Sequence, residues 1–172
     1  HAQFRRQRQM CIRDSIRGNV DTRIRKLKNG EYDAIILAKA GLSSLNLDKE
    51  ITQEFSNNDL IPSAGQGTIA VQCRKDDVEI IELLNKINHE KTSICVKAER
   101  EVLKVLDGDC ETAVGATSKI VDDKIYLSGE LFSIDGSRRY FYETSKNLSD
   151  FYMAGEEVGK KLKEESQGNY KK

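Results

Sequence analysis

The chain has 172 residues, enough for one ordinary domain or for pieces of two smaller ones. Lys+Arg and Asp+Glu balance at 28 each, so charge gives no reason to expect nucleic acid or an anionic membrane as partner. Hydrophobic residues reach 38%, enough for a modest core, and no apolar run has the length of a bilayer span or of a signal-peptide core.

The cysteines are Cys11, Cys73, Cys95 and Cys110, with no CxxC pair and only His1 and His89 to assist a metal, so zinc-ligand spacing is absent and no metal is expected. Four cysteines allow two disulfides, but without a secretion signal the expectation is reduced thiols and a soluble, cytoplasmic protein.

Residues 1–15, rich in Arg and Gln and without periodicity, join abruptly to a patterned segment. They read as a non-native leader rather than a nucleic-acid-binding arm. Ile16–Arg17 then read as a strand end and Gly18–Asn19 as a tight turn. A helix follows with Val20, Ile24 and Leu27 on one face, Asn19 as its N-cap and Asn29–Gly30 as its stop. Asp33–Ala38 is a short apolar run of the kind buried on both faces of a sheet. Strand, helix, strand in that order predicts a parallel α/β unit. Residues 46–61 are polar and irregular, with room for one short helix.

The loop Ile61–Gly67 holds the one proline and leads to a predicted strand, Thr68–Cys73. Helices are predicted over about 77–88 (Ile80, Ile81, Leu84, Ile87) and 92–106 (Ile94, Ala98, Val102, Leu103, Leu106), the second ending at Asp107–Gly108. Lys119–Val121, Ile125–Phe132 and Arg139–Thr144 alternate like an antiparallel meander, turning at Asp122–Asp123 and Asp135–Gly136. A last amphipathic helix begins near Ser149 and buries Phe151, Ala154, Val158 and Leu162, with 164–172 expected to fray.

Several residues invite a chemical reading. Arg17 ends a predicted strand and Arg23 lies in the opening turn of the next helix, where sheet crevices and free N–H groups favour anions. A guanidinium can hold a carboxylate through two parallel bonds, yet solvated surface arginines explain the spacing equally well. Gly65–Gln66–Gly67 is either a ligand-contacting turn or a plain hinge, and no Lys-Ser/Thr follows to make it a phosphate loop. Cys110 follows a helix in a loop, but Asp107, Asp109 and Glu111 disfavour its thiolate, so composition alone reads it as an inert thiol. Glu99 and Arg100 read as a helix-surface ion pair of little worth.

Three stretches carry a resemblance. Ile16–Leu42 (IRGNVDTRIRKLKNGEYDAIILAKAGL), Pro62–Gly67 (PSAGQG) and Ala98–Cys110 (AEREVLKVLDGDC), continuing to Gly115, resemble three signatures of the porphobilinogen deaminases, in that family's order and at about its spacing. The resemblance covers residues 16 to about 147, and the final helix fits it more loosely. It implies an enzyme joining four porphobilinogen units into hydroxymethylbilane with loss of ammonia. It also implies a dipyrromethane cofactor held by a thioether to Cys110, and Arg17 and Arg23 binding the carboxylates of cofactor and growing pyrrole chain, with Gly67 in the binding loop. The implied fold is α/β, in pieces like type II periplasmic binding proteins, followed by an α+β domain with a three-stranded antiparallel sheet. In that scheme 16–61 finish domain 2, 62–88 return to domain 1, and 89–172 form the cofactor-attachment domain.

The family's proton-handling Asp belongs to an N-terminal half that has no counterpart here, so no catalytic residue is assigned and the chain alone is expected to be an inactive fragment of an enzyme monomeric at full length. Ser44 stands where the family usually has Arg, Asp109 where glycine is common, and Ala113 where proline is frequent. The lost Arg removes one expected carboxylate contact. A ligand-binding module of the periplasmic type, without a covalent cofactor, is the alternative.

Overall fold

The computed structural model describes residues 16–57, 59–107 and 112–171 and divides into two units, His1–Ser56 and Asn57–Lys172. The leader reading of residues 1–15 and the loop position of Cys110 lie outside the described residues.

In the first unit, α1 (Val20–Lys28) forms as its apolar spacing predicts, with Ile24 buried. It closes as expected at Asn29–Gly30. Gly30 sits at φ 74° and donates to Leu27 O, while Glu31 N donates to Lys26 O, the paired bonds that satisfy the last helical carbonyls. Asn19 occupies the N-cap position but its side chain caps nothing; Arg23 N bonds to the Asn19 carbonyl instead. The short helix α2 (Lys39–Ser43), which periodicity did not announce, buries Leu42, and a 3₁₀ turn follows at Asp48–Glu50. Two surface ion pairs, Lys28–Glu50 and Lys39–Glu54, both at 2.6 Å, add ~0–1 kcal/mol each.

The strands expected at Ile16–Arg17, Asp33–Ala38 and Thr68–Cys73 are not formed. A strand needs a neighbour to take its N–H and C=O groups, and among the described residues no other strand pairs with these segments. Several of their apolar side chains stay in solvent as a result: Ile36 is 69% exposed, Val71 61% and Ile69 91%.

The second unit is built on a helix–sheet sandwich. After α3 (Val78–Ile87), capped by Asp77 through Ile80 N, comes α4 (Glu90–Leu106), capped by His89 through Thr92 N. The meander is β1 (Val114–Val121), β2 (Lys124–Phe132) and β3 (Arg139–Asn147), in sheet order β1-β2-β3 and all antiparallel. Val121 faces Lys124 across the two-residue Asp122–Asp123 turn, where Asp122 takes φ 52°, a conformation Asp tolerates better than most residues. A 3₁₀ turn at Leu148–Asp150 leads into α5 (Phe151–Ser166).

One face of the sheet is covered by α4 and α5. Ala98, Val102 and Leu106 of α4, Ile125, Leu127 and Leu131 of β2, and Ala154, Val158 and Leu162 of α5 are all at 0% exposure. Burial of each large side chain contributes ~1.5–3 kcal/mol. The two helices approach closely because Gly155 and Gly159, four apart on α5, face α4; a Cβ at Gly159 would lie 2.7 Å from Val105 Cβ. At the sheet edge Glu157 accepts Tyr142 Oη (3.1 Å) and Thr144 Oγ1 (2.9 Å) and pairs with Lys146. The Lys146 bond leads in holding the Glu157 carboxyl below its ordinary range.

The chain beyond residue 163 does not fray as expected. Ser166 and Tyr170 are buried, and Tyr170 belongs to the main core cluster. Its aromatic ring supplies apolar area that the polar composition of this tail conceals.

Within the β2–β3 loop, Asp135 accepts Ser133 Oγ (2.6 Å), Ser137 N (3.0 Å) and Ser137 Oγ (2.8 Å). The Ser133 bond leads, and together these lower its carboxyl from an ordinary 3.8 to about 2. A depressed folded-state value means the loop's stabilisation is complete above about pH 4 and is lost as pH falls through about 2. Carbon-detected NMR titration of Asp135 should give a midpoint near 2, rising in Ser133→Ala; a midpoint near 4 in the unmodified protein would contradict the loop geometry.

Candidate functional site

In the first unit, Gly18, Asn19, Arg23, Leu37, Ala38 and Gly41 line part of a cleft of about 770 Å³, within the size range of small-molecule sites. The N-terminus of α1 opens here. Because the Asn19 side chain makes no cap bond, it leaves the first-turn N–H groups to other acceptors. Arg23 Nε donates to Gly18 O at 2.7 Å, which fixes the guanidinium plane and leaves its two terminal nitrogens for an anion. Asp21, also on the lining, supplies an opposing negative charge. Arg17 precedes Gly18, is exposed, and is not part of the lining. Ser44, at the position of the expected arginine, bonds back to Ala40 O at 2.7 Å and contributes nothing to the cleft.

The second unit gathers the other two signature stretches, through a residue that sequence reasoning misread. Glu99 does not pair with Arg100 on the surface. It is 8% exposed, and its carboxylate accepts Gly65 N (2.7 Å), Ser118 N (2.8 Å) and Ser118 Oγ (2.8 Å). One oxygen thus serves the Pro62–Gly67 loop and the other serves β1. A second buried carboxylate, Glu130, accepts Ile61 N (3.2 Å) and pairs with Arg139 Nε (2.8 Å). Between them Ala116 N donates to Pro62 O at 3.0 Å, so the loop entrance is bonded to β1.

The signal for Glu99 was present. It lies four residues after Cys95, three before Val102 and seven before Leu106, which places a carboxylate on the apolar stripe of the helix. A charge there must find several donors, since a buried carboxylate without them is costly. The closeness of loop and strand has a further mark at Gly115, where a Cβ would lie 2.6 Å from Ile61 O.

Gly65 (φ 72°) and Gly67 (φ 80°) both use left-handed backbone, which is why this loop carries two glycines. Gly65 is held by Glu99. Gly67 is exposed, with nothing within 4 Å of where a Cβ would stand, so its backbone is open to approach. Cys73 and Cys95 are free and half-buried, and Cys110 lies outside the described residues. Among the described residues no cluster of His, Cys, Asp and Glu could hold a metal.

Comparison with known proteins divides the chain at a later point than the two compact units do. Residues 1–82 match the family model described as "Porphobilinogen deaminase, dipyromethane cofactor binding domain", and residues 93–167 match "Porphobilinogen deaminase, C-terminal domain". A porphobilinogen deaminase of Macrococcus caseolyticus is 42% identical over 126 residues, 73% of this chain and 41% of that protein. One from Staphylococcus aureus strain MRSA252 is 40% identical over 157 residues, 90% of this chain and 50% of that protein. A third, from Staphylococcus carnosus, is 39% identical over 152 residues, 87% of this chain and 49% of that protein. The chain therefore spans about half the length of the relatives it matches.

The two glycines give a test of the loop. Gly67→Ala has room for its methyl, and Gly65→Ala meets Val96 Cγ1 only at an ordinary 3.7 Å, so both should lose stability through backbone strain. The expected cost is ~1–2 kcal/mol each, read as the urea midpoint of the second unit. No loss in either variant would contradict the left-handed assignment.

Proposed function

The chain belongs to the porphobilinogen deaminase family, and we propose that it is the C-terminal half of a hydroxymethylbilane synthase, whose full-length form joins four porphobilinogen units with loss of ammonia. The observation that carries the reading is the order of the two family domains along the chain, with the stretch Ala98–Gly115 inside the second. The domain named for the cofactor is the first, whereas the attachment residue of this proposal, Cys110, falls in the second. The two assignments are compatible if the first holds the cofactor's acid side chains and the second its covalent link.

The cofactor, when bound, supplies the pyrrole carbon on which the chain is extended. The residues present suit it. Arg23 offers fixed donors to a carboxylate in a cleft that also has apolar walls, and Arg17 offers a second, freely placed guanidinium. Gly67 offers open backbone. Ser44 offers no cation, so carboxylate recognition in this protein leans more heavily on Arg17 and Arg23.

The layout proposed is that 16–61 complete domain 2, that 62–88 return to domain 1, both of the type II periplasmic-binding kind, and that 89–172 form the third domain. Support comes from apolar side chains that find no cover in the second unit: Ile69, Val71, Leu83 and Ile87 are all more than half exposed. Strand-like runs with bare apolar faces are what a domain shows when its other strands come from chain lying elsewhere. The half that the relatives have and this chain lacks would supply them, along with the proton-handling Asp, so the 172-residue chain by itself is proposed not to turn over. The setting proposed is the cytoplasm; no helix among the described residues is long and apolar enough to cross a membrane.

Intact mass tests the reading. The full-length protein supplied with porphobilinogen should carry a dipyrromethane-sized increment that Cys110→Ala lacks while remaining folded. Arg23→Leu should slow acquisition of that increment by at least about tenfold, the effect of losing a charge-assisted pair. An unmodified mass for the wild type, folded and with substrate present, would overturn the proposal.

A further inference from the structure

We propose that the open face of the second unit's sheet is a non-covalent binding site for porphobilinogen, built from residues outside all three signature stretches. Naming porphobilinogen rests on the reaction proposed above, whereas the trough and its charges stand on geometry alone.

Alternation along the strands makes the site. On β2, Ile125 and Leu127 turn to α4 and α5 at 0% exposure, so Tyr126 and Ser128 turn the other way. The register sets Thr117 and Glu143 on either side of Ser128, and Lys119 and Ser145 on either side of Tyr126. With Phe141 and Arg139 these side chains line a trough of about 670 Å³, within the range of small-molecule sites.

The floor of the trough is polar and its two ends are aromatic. Thr117, Ser128 and Glu143 form the central row. Tyr126 lies two residues along the strands on one side of that row, and Phe141, opposite Glu130, two residues on the other. Each aromatic position is thus ~7 Å from the row, which leaves room for one small ring over the hydroxyls of Thr117 and Ser128.

The charges specify the rest of the occupant. Lys119 Nζ stands 5.8 Å from the centre of the Tyr126 ring, and the Arg139 guanidinium 5.5 Å from that of Phe141, so each aromatic end carries a cation. Arg139 is aimed. Its Nε donates to Glu130 at 2.8 Å, and that buried carboxylate is held in turn by Ile61 N, so the terminal guanidinium nitrogens stay open to another acid group. Among the described residues neither Lys119 nor Glu143 has an ion-pair partner. They stand on β1 and β3, strands ~10 Å apart across β2. An occupant that satisfies the trough brings acid groups to Lys119 and Arg139, a cation to Glu143, and a single ring between two aromatic side chains. Porphobilinogen has this set: one pyrrole ring, two carboxylate arms and an aminomethyl group that is protonated at neutral pH. A diacid without the amine would be repelled by Glu143, and an uncharged ring would leave all three charges unmatched.

The test is an NMR titration of the full-length Cys110→Ala protein, in which porphobilinogen is not expected to be consumed, reading the amides of Thr117, Ser128 and Ser145. Porphobilinogen should shift these amides together and saturably. Lys119→Gln and Glu143→Gln, both at exposed side chains, should each weaken that binding about three- to fivefold, the worth of one exposed charge pair. Arg139 is left in place because Glu130 is buried against it. Free phenylalanine, whose acid and ammonium groups share one carbon and cannot reach both outer strands, should bind about tenfold more weakly, having lost two such pairs. No saturable shift with porphobilinogen, binding indifferent to both substitutions, or equal binding of phenylalanine would each overturn the proposal. If the Cys110→Ala protein consumes porphobilinogen, the attachment role of Cys110 fails instead, and the first spectra, taken before consumption, still decide the sheet site.

Discussion

A single buried carboxylate joins three elements of the second unit. Glu99 gives one oxygen to Gly65 N and the other to the backbone and hydroxyl of Ser118, so a helix, a loop and a strand meet at one side chain. No apolar residue could do this. Apolar packing is not directional, whereas two backbone N–H groups aimed at one carboxylate fix both distance and orientation. The arrangement is also unforgiving, because losing the acceptor would strand both donors in a partly buried site.

The helix that carries Glu99 organises its unit at its middle and at its last turn. Near its middle it captures the glycine loop; at its last turn Lys163, Tyr170 and Lys171 take its carbonyls; beyond that turn the chain runs to Cys110. Its buried stripe of Ala98, Val102 and Leu106 is locked against α5 and the sheet. The second signature stretch and the described part of the third are therefore one physical assembly. The first stretch, in the other unit, provides its own anion-favouring cleft through Arg23 and the N-terminus of α1.

What could be read from the sequence followed what periodicity measures. The faces of α1, α4 and α5 were legible because Ile24, Val102 and Val158 recur at helical spacing with their neighbours, and the meander was legible from alternation in β2 and β3. The start of β1 was hidden, since Gly115, Ala116, Thr117 and Ser118 carry no alternating bulk; their pairing with Glu130 to Leu127 reveals it. Asp33–Ala38 and Thr68–Cys73 show the converse. Their apolar content states a demand for burial, but a strand forms only where a neighbour supplies hydrogen bonds. Tyr170 was lost in a polar tail because the turn at Gln167–Gly168 was not foreseen. Glu99 was misjudged by treating a charge on a helix as a surface charge, although its spacing from Cys95 and Val102 marked the buried side. The importance of Cys110 came through resemblance alone; its acidic neighbours argued the other way.

The most direct test of the central claim is amide hydrogen exchange at Gly65 and Ser118 in the wild type, Glu99→Gln and Glu99→Ala. If one carboxylate joins loop, helix and strand, Glu99→Ala should speed exchange at both amides together, by roughly ten- to a hundredfold for ~1–3 kcal/mol lost. The amides of β2 should stay protected. Glu99→Gln, which keeps an acceptor oxygen but has only one, should spare one of the two amides and release the other. Unaltered exchange at Gly65 in Glu99→Ala would contradict the account, and the glycine loop would then have to be held by its Pro62 and Ile61 bonds alone.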